Sequence, residues 1–88
     1  MKIILCIKNE KGLHARASAK LVELVENHEA DAKISKGGNT VSGDSIMGLL
    51  MLAASKGSKI EVETIGKERK ELISAIKNLI EKKFGEKE

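Results

Sequence analysis

Hydrophobic and polar positions alternate from the first residues of the chain. Ile3, Leu5 and Ile7 fall on one side, and Lys2, Ile4, Cys6 and Lys8 on the other. A period of two is that of a strand with one buried face. With the odd-numbered residues turned to the core, Cys6 falls on the opposite face of the sheet, as a small filler residue and not a reactive one. Asn9-Glu10-Lys11-Gly12 is polar, ends in glycine and predicts a loop. From Ala15 the period lengthens. Ala17, Leu21, Leu24, Val25 and His28 mark one face of a helix running to about Asn27, while Lys20, Glu23, Glu26 and Asn27 mark the other. His28 reads as a surface residue at the C-terminal end of that helix, where partial positive charge is favourable. Ala32 and Ile34 then alternate with Lys33 and Ser35, Gly37-Gly38-Asn39 interrupts, and Thr40-Val41 resumes an extended run. This is a hairpin pattern with glycines supplying positive φ. No P-loop or dinucleotide spacing surrounds the two glycines, so they read as a turn and not as a phosphate loop.

Ser42-Gly43-Asp44-Ser45 offers several helix caps before an all-apolar run, Ile46 to Ala54, that Ser55-Lys56-Gly57 ends. A helix on the surface of a small domain buries one side only. If Leu49, Leu52 and Ala53 pack inward, Ile46, Met47, Leu50 and Met51 are left exposed as a flexible, methionine-containing patch of the kind used for docking. Ile60, Val62 and Thr64 alternate with Lys59, Glu61 and Glu63 in a fourth strand that stops at Gly66. Leu72, Ala75, Ile76, Leu79 and Ile80 mark one face of a last helix between Glu68 and Phe84. Gly85-Glu86-Lys87-Glu88 reads as a frayed tail. The order β-α-β-β-α-β-α predicts an α+β, two-layer sandwich with helices on one face of the sheet. A ferredoxin-like fold begins with the same string, and the pattern does not order the strands.

Composition narrows the function classes. The 88 residues fit one domain, 1–88, with a single modest core. There is no membrane-length apolar run and no signal-peptide pattern, which sets a cytoplasmic, non-membrane expectation. Cys6 is the only cysteine, so neither an internal disulfide nor a thiolate metal cluster is expected. A net charge of +3 helps a basic surface find an acidic partner without arguing for nucleic acid. Trp and Tyr are missing and Phe84 is the only aromatic residue. Base-stacking readers of single strands or RNA are therefore disfavoured.

The candidate chemistry lies at Gly12-Leu13-His14-Ala15-Arg16-Ala17-Ser18, where a strand hands over to a helix. Such a junction offers unpaired N–H groups and the positive end of the helix dipole, and so favours an anion. A histidine there, with an arginine two residues on, points to phosphate carried on the imidazole. The alternative is a neutral cap residue with no chemistry.

These residues, followed by Gly43-Asp44-Ser45-Ile46-Met47-Gly48-Leu49 and Ala54-Ser55-Lys56-Gly57, closely resemble the HPr family. Its members are the histidine-containing phosphocarrier proteins of the bacterial phosphoenolpyruvate-dependent phosphotransferase system. The resemblance covers essentially the whole chain. It implies an open-faced β-sandwich, a four-stranded antiparallel sheet under three helices. It also implies a carrier and not an enzyme, without cofactor or metal: phosphorylated Enzyme I gives a phosphoryl group to Nδ1 of His14, which passes it to enzyme IIA proteins or domains for sugar uptake or regulation. Arg16 matches the arginine that attends the phosphate. Ser45 matches the serine that an HPr kinase/phosphorylase modifies in some bacteria. The patch of Ile46, Met47, Leu50 and Met51, with Lys20, is the expected partner surface of a monomer. The string through Ala19 leans toward the nitrogen-related branch of the family. Ala17 departs from the usual proline, so it keeps an N–H and leaves the first helical turn freer.

The chemistry suits the residues. Phosphoryl transfer asks for positioning and electrostatic stabilisation. The positive end of a helix disfavours imidazolium and favours an incoming dianion. A histidine at a cap places Nδ1 near where a capping Asn places its oxygen, within reach of the N–H groups of Arg16 and Ala17. Arg16 adds a permanent charge with fork geometry. No second histidine, carboxylate pair or metal set lies near His14 in sequence, which fits a relay whose partners supply the remaining chemistry. Two other readings compete. One is a regulatory paralogue acting through Ser45 alone, against which His14 itself argues. The other is a ferredoxin-like module binding a ligand or nucleic acid.

Overall fold

A computed structural model describes all 88 residues. Strand β1 (Lys2–Cys6) leads to helix α1 (Ala15–Glu26), the hairpin of β2 (Ala30–Lys36) and β3 (Asn39–Ser42), helix α2 (Ile46–Met51), strand β4 (Lys59–Gly66) and helix α3 (Arg69–Glu81). A 3-10 turn, Lys83–Gly85, follows. The four strands form one antiparallel sheet in the order β1-β4-β2-β3. This order, which alternation alone left open, places Lys2 opposite Glu63 and Ala30 opposite Gly66, with β4 between the two earlier strands.

The three helices cover one face. Leu5, Ile34, Ile60 and Val62 rise from the sheet to meet Leu21, Val25, Leu49, Leu72, Ile76 and Ile80, within one cluster of 19 buried hydrophobic residues. The other face is open, with Ile4 66% and Ile65 48% exposed and Cys6 exposed beside them. Burying every second residue of each strand on one side only produces this alternation. The result is the open-faced sandwich.

Two expectations about segment ends are corrected. Helix α2 has six residues and stops at Met51, and Ala53 is exposed with φ +51° instead of packing inward. Leu49, Leu52 and Ala54 take the inward positions. The left-handed turn at Ala53 is what rotates Ala54 to the core. The last helix stops at Glu81, and the tail is not frayed. Lys83 and Phe84 both take φ +57°, which swings the Phe84 ring into the core at 1% exposure. Two non-glycine residues in the left-handed region cost about 1–2 kcal/mol each. Burial of an aromatic ring offsets this.

Candidate functional site

The loop between β1 and α1 is set by contacts with the chain that follows α2. Gly12 sits at φ +63°, where a Cβ would stand 2.4 Å from the Ala54 carbonyl oxygen and 2.8 Å from the Ser55 Cα. The close approach lets the Leu13 N–H donate to that same oxygen at 2.9 Å. Gly57 N–H donates to the Ile7 carbonyl, and Ile7 N–H to that of Ser58. The entry to α1 and the exit from α2 are thus stitched together.

His14 is the N-cap of α1, with extended backbone (φ −75°, ψ −179°) and no hydrogen bond from its side chain to the helix it caps. The first bond of the helix runs from Ser18 N–H to the His14 carbonyl at 2.8 Å. The N–H groups of Ala15, Arg16 and Ala17 are left without intrahelical acceptors. Ser18 is fully buried and donates its hydroxyl to the Leu13 carbonyl, holding the turn shut from inside. Ala17 is fully buried, whereas Arg16 is exposed and lines a shallow depression with Glu10, Lys11 and the tail residues Glu86, Lys87 and Glu88. The helix start thus offers open N–H groups and an anion-favouring dipole, and Arg16 belongs to its first turn.

Sequence reasoning placed no carboxylate here, and the fold brings one. His14 Nε2 lies 2.5 Å from Oε2 of Glu86, 72 residues away in the chain. Oε1 of the same carboxylate accepts from Nδ2 of Asn9 at 3.0 Å, and that nitrogen also donates to the Gly12 carbonyl at 2.9 Å. Asn9 is fully buried. Only this orientation of its amide works, because the reverse would face two acceptors with an oxygen. Its Oδ1 meets no protein donor. The hydrogen bonds from His14 first, and Asn9 second, hold the Glu86 carboxyl below the usual glutamate range, against a smaller opposing effect of burial. Lys20 closes the tail from the other side, its Nζ donating to the Phe84 carbonyl at 2.6 Å. The Glu10 N–H donates to a main-chain oxygen of Glu88. Asn9 was hidden inside a polar loop, and Glu86 inside a charged terminus. The lone aromatic residue, Phe84, was the one signal in sequence that the tail is anchored.

The second candidate region lies next to the first. Ser45 caps α2, its Oγ accepting from the Gly48 N–H at 3.0 Å. Met47 and Met51 are 69% and 79% exposed, and Ile46 and Leu50 about half as much, at 40% and 37%. A shallow depression of about 220 Å³, lined by Lys11, Leu13, His14, Ala53, Ala54 and Ser55, joins the histidine to the end of this helix. Lys20, on α1, is exposed, with its ammonium donating to the tail. No three His, Cys, Asp or Glu side chains converge as a metal-binding set. No helix is long and apolar enough to cross a membrane.

The chain is similar to known proteins in sequence and in fold. Residues 2–82 match the family profile of the PTS HPr component phosphorylation site. The chain is 48% identical over 82 residues to the phosphocarrier protein HPr of Cupriavidus necator, covering 93% of this chain and 92% of that one. It is 36% identical to the phosphocarrier protein NPr of Escherichia coli, covering 91% and 90%. In structure it is similar to HPr-C-His from Thermoanaerobacter tengcongensis, with a TM-score of 0.95 and 34% identity over all of this chain and 99% of that one. With the histidine at a helix start, the apolar helix beside it and the β1-β4-β2-β3 sheet beneath both, the chain belongs to the HPr family of phosphocarrier proteins of the phosphotransferase system.

Proposed function

We propose that this chain, as one domain, accepts a phosphoryl group on Nδ1 of His14 from phosphorylated Enzyme I and hands it to an enzyme IIA protein. The observation that carries this reading is the placement of His14. It is a cap residue whose side chain leaves its own helix alone, beside three N–H groups with no intrahelical acceptor. The Nδ1 lone pair attacks phosphorus, the bond to the donor breaks, and the donor leaves with its electron pair. The phosphoryl oxygens accept from the N–H groups of Arg16 and Ala17 and pair with the Arg16 guanidinium. The grip consists of one guanidinium and a few amides, open to solvent, so the group remains transferable. Ile46, Met47, Leu50 and Met51 supply the apolar contact that brings partners to His14.

Phosphorylation of Ser45 by an HPr kinase/phosphorylase would add close to two negative charges beside that apolar face, opposing an acidic partner. The Ser45 oxygen already stands at the start of α2 facing an N–H, so the helix itself accommodates the charge.

Incubation with Enzyme I, Mg²⁺ and phosphoenolpyruvate, followed by intact mass measurement, tests the carrier reading. One acid-labile phosphate is expected on the native chain and none on His14→Ala. An acid-labile phosphate on His14→Ala would overturn it.

A further inference from the structure

We infer that Glu86, clamped by Asn9, is a positioning residue that holds the proton of His14 on Nε2 and so leaves Nδ1 as the nucleophile. The inference rests on the phosphocarrier reading above and deepens it. The contact runs between Nε2 and a carboxylate oxygen at 2.5 Å. A carboxylate only accepts, so Nε2 carries the hydrogen. The bond made by one ring nitrogen decides which tautomer the other presents, and in a neutral imidazole with Nε2–H the lone pair is on Nδ1. The carboxylate is not a free passer-by. Its second oxygen is fixed by the Asn9 amide, which is itself fixed to the Gly12 carbonyl two residues before His14. The Lys20–Phe84 bond and the buried Phe84 ring anchor the chain on which Glu86 is carried. Donor, acceptor and clamp belong to one connected unit.

The consequence for transfer follows from charge. When Nδ1 forms its bond to phosphorus, Nε2 keeps its hydrogen and the ring acquires a positive charge. The Glu86 carboxylate stands against that charge, on the side of the ring away from the phosphoryl group. In the onward step the P–Nδ1 bond breaks, its electron pair returns to Nδ1, and the ring leaves as neutral imidazole with Nε2–H still in place. No proton moves in either step. This is the division of labour in a carboxylate–histidine pair, where the acid orients the ring and stabilises its cationic form without taking its proton. The chain thereby supplies the carboxylate for this contact from its own tail.

The test uses the full chain with Glu86→Ala and Glu86→Gln. Nitrogen-15 spectra of the His14 ring should show a hydrogen-bonded Nε2–H in the native chain and in Glu86→Gln, which keeps an acceptor, and its loss in Glu86→Ala. Initial rates of phosphorylation by Enzyme I and phosphoenolpyruvate should fall on the order of 10-fold in Glu86→Ala, as for other carboxylates that orient a functional histidine. Glu86→Gln should recover only part of that loss, because it orients the ring without charge. If both variants fold and take up phosphate at the native rate, Glu86 merely ties down the tail and the inference fails. A native ring with its hydrogen on Nδ1 also overturns it. A native chain that acquires no phosphate on His14 defeats the carrier reading instead, so the two failures are distinguishable.

Discussion

Replacing Gly12 with alanine tests how the loop carrying His14 is held. Two costs add. Alanine at φ +63° lies in the left-handed region, which costs about 1–2 kcal/mol. Its Cβ would also sit 2.4 Å from the Ala54 oxygen and 2.8 Å from the Ser55 Cα, both backbone atoms that cannot rotate away. Relieving that overlap by moving chain costs about 1–3 kcal/mol, and the Leu13–Ala54 hydrogen bond lost in the process about 1 kcal/mol more. The expected total is about 3–6 kcal/mol, a large share of the stability of a small domain. Gly37→Ala provides the control. Gly37 has nearly the same φ, +55°, and open space where its Cβ would be, so only the backbone cost of about 1–2 kcal/mol applies. Urea titrations of the two variants, followed by far-ultraviolet circular dichroism, give the difference directly as a shift in midpoint at unchanged slope. Gly12→Ala should be the less stable by about 2–4 kcal/mol, the part due to the contact. Equal midpoints would refute the idea that the two loops are pressed together at this glycine.

Three further outcomes follow from the structure. Met47→Glu should change stability by less than about 0.5 kcal/mol, because the side chain is 69% exposed, while slowing phosphoryl exchange with partners; an unfolded variant would place Met47 in the core. Phe84→Ala should cost about 3–5 kcal/mol in thermal or chemical unfolding, since the ring is fully buried, and a loss within about 0.5 kcal/mol would return the terminus to a frayed tail. The stability difference between the native chain and Glu86→Gln should be present at neutral pH and be lost only as pH falls through the carboxylate range. The folded-state pKa of Glu86 is depressed, so its contribution is present above the unfolded value and lost as pH falls through the lower folded one. A difference that disappears between pH 7 and 5 would contradict the assigned contact.

Much of the fold was legible because it rests on local periodicity. Ile60, Val62 and Thr64 alternate in sequence and are all buried, and Leu49 and Leu52 face inward as their spacing requires. The strand order left no such trace. Pairing Lys2 with Glu63 depends on long-range packing, to which no window of neighbouring residues is sensitive. The errors share a cause. Ala53, Lys83 and Phe84 take left-handed conformations that their residue types disfavour, and tertiary contacts impose them. Glycine would have announced a turn at each position; alanine, lysine and phenylalanine do not. The site divided along the same line. His14 and Arg16 stand in a local motif, whereas the Asn9–Glu86 pair exists only once the two ends of the chain have met.

The position of β4 between β1 and β2 also governs when the molecule can form. Until Lys59–Gly66 has been synthesised, β1 has no neighbour and β2 has only β3. A nascent chain therefore cannot close its sheet progressively from the N-terminus, and its early strands wait with open edges for a segment that emerges late. Such non-local pairing makes folding slower than in helical domains of similar size. It also concentrates the risk of misassembly in the interval before the fourth strand arrives.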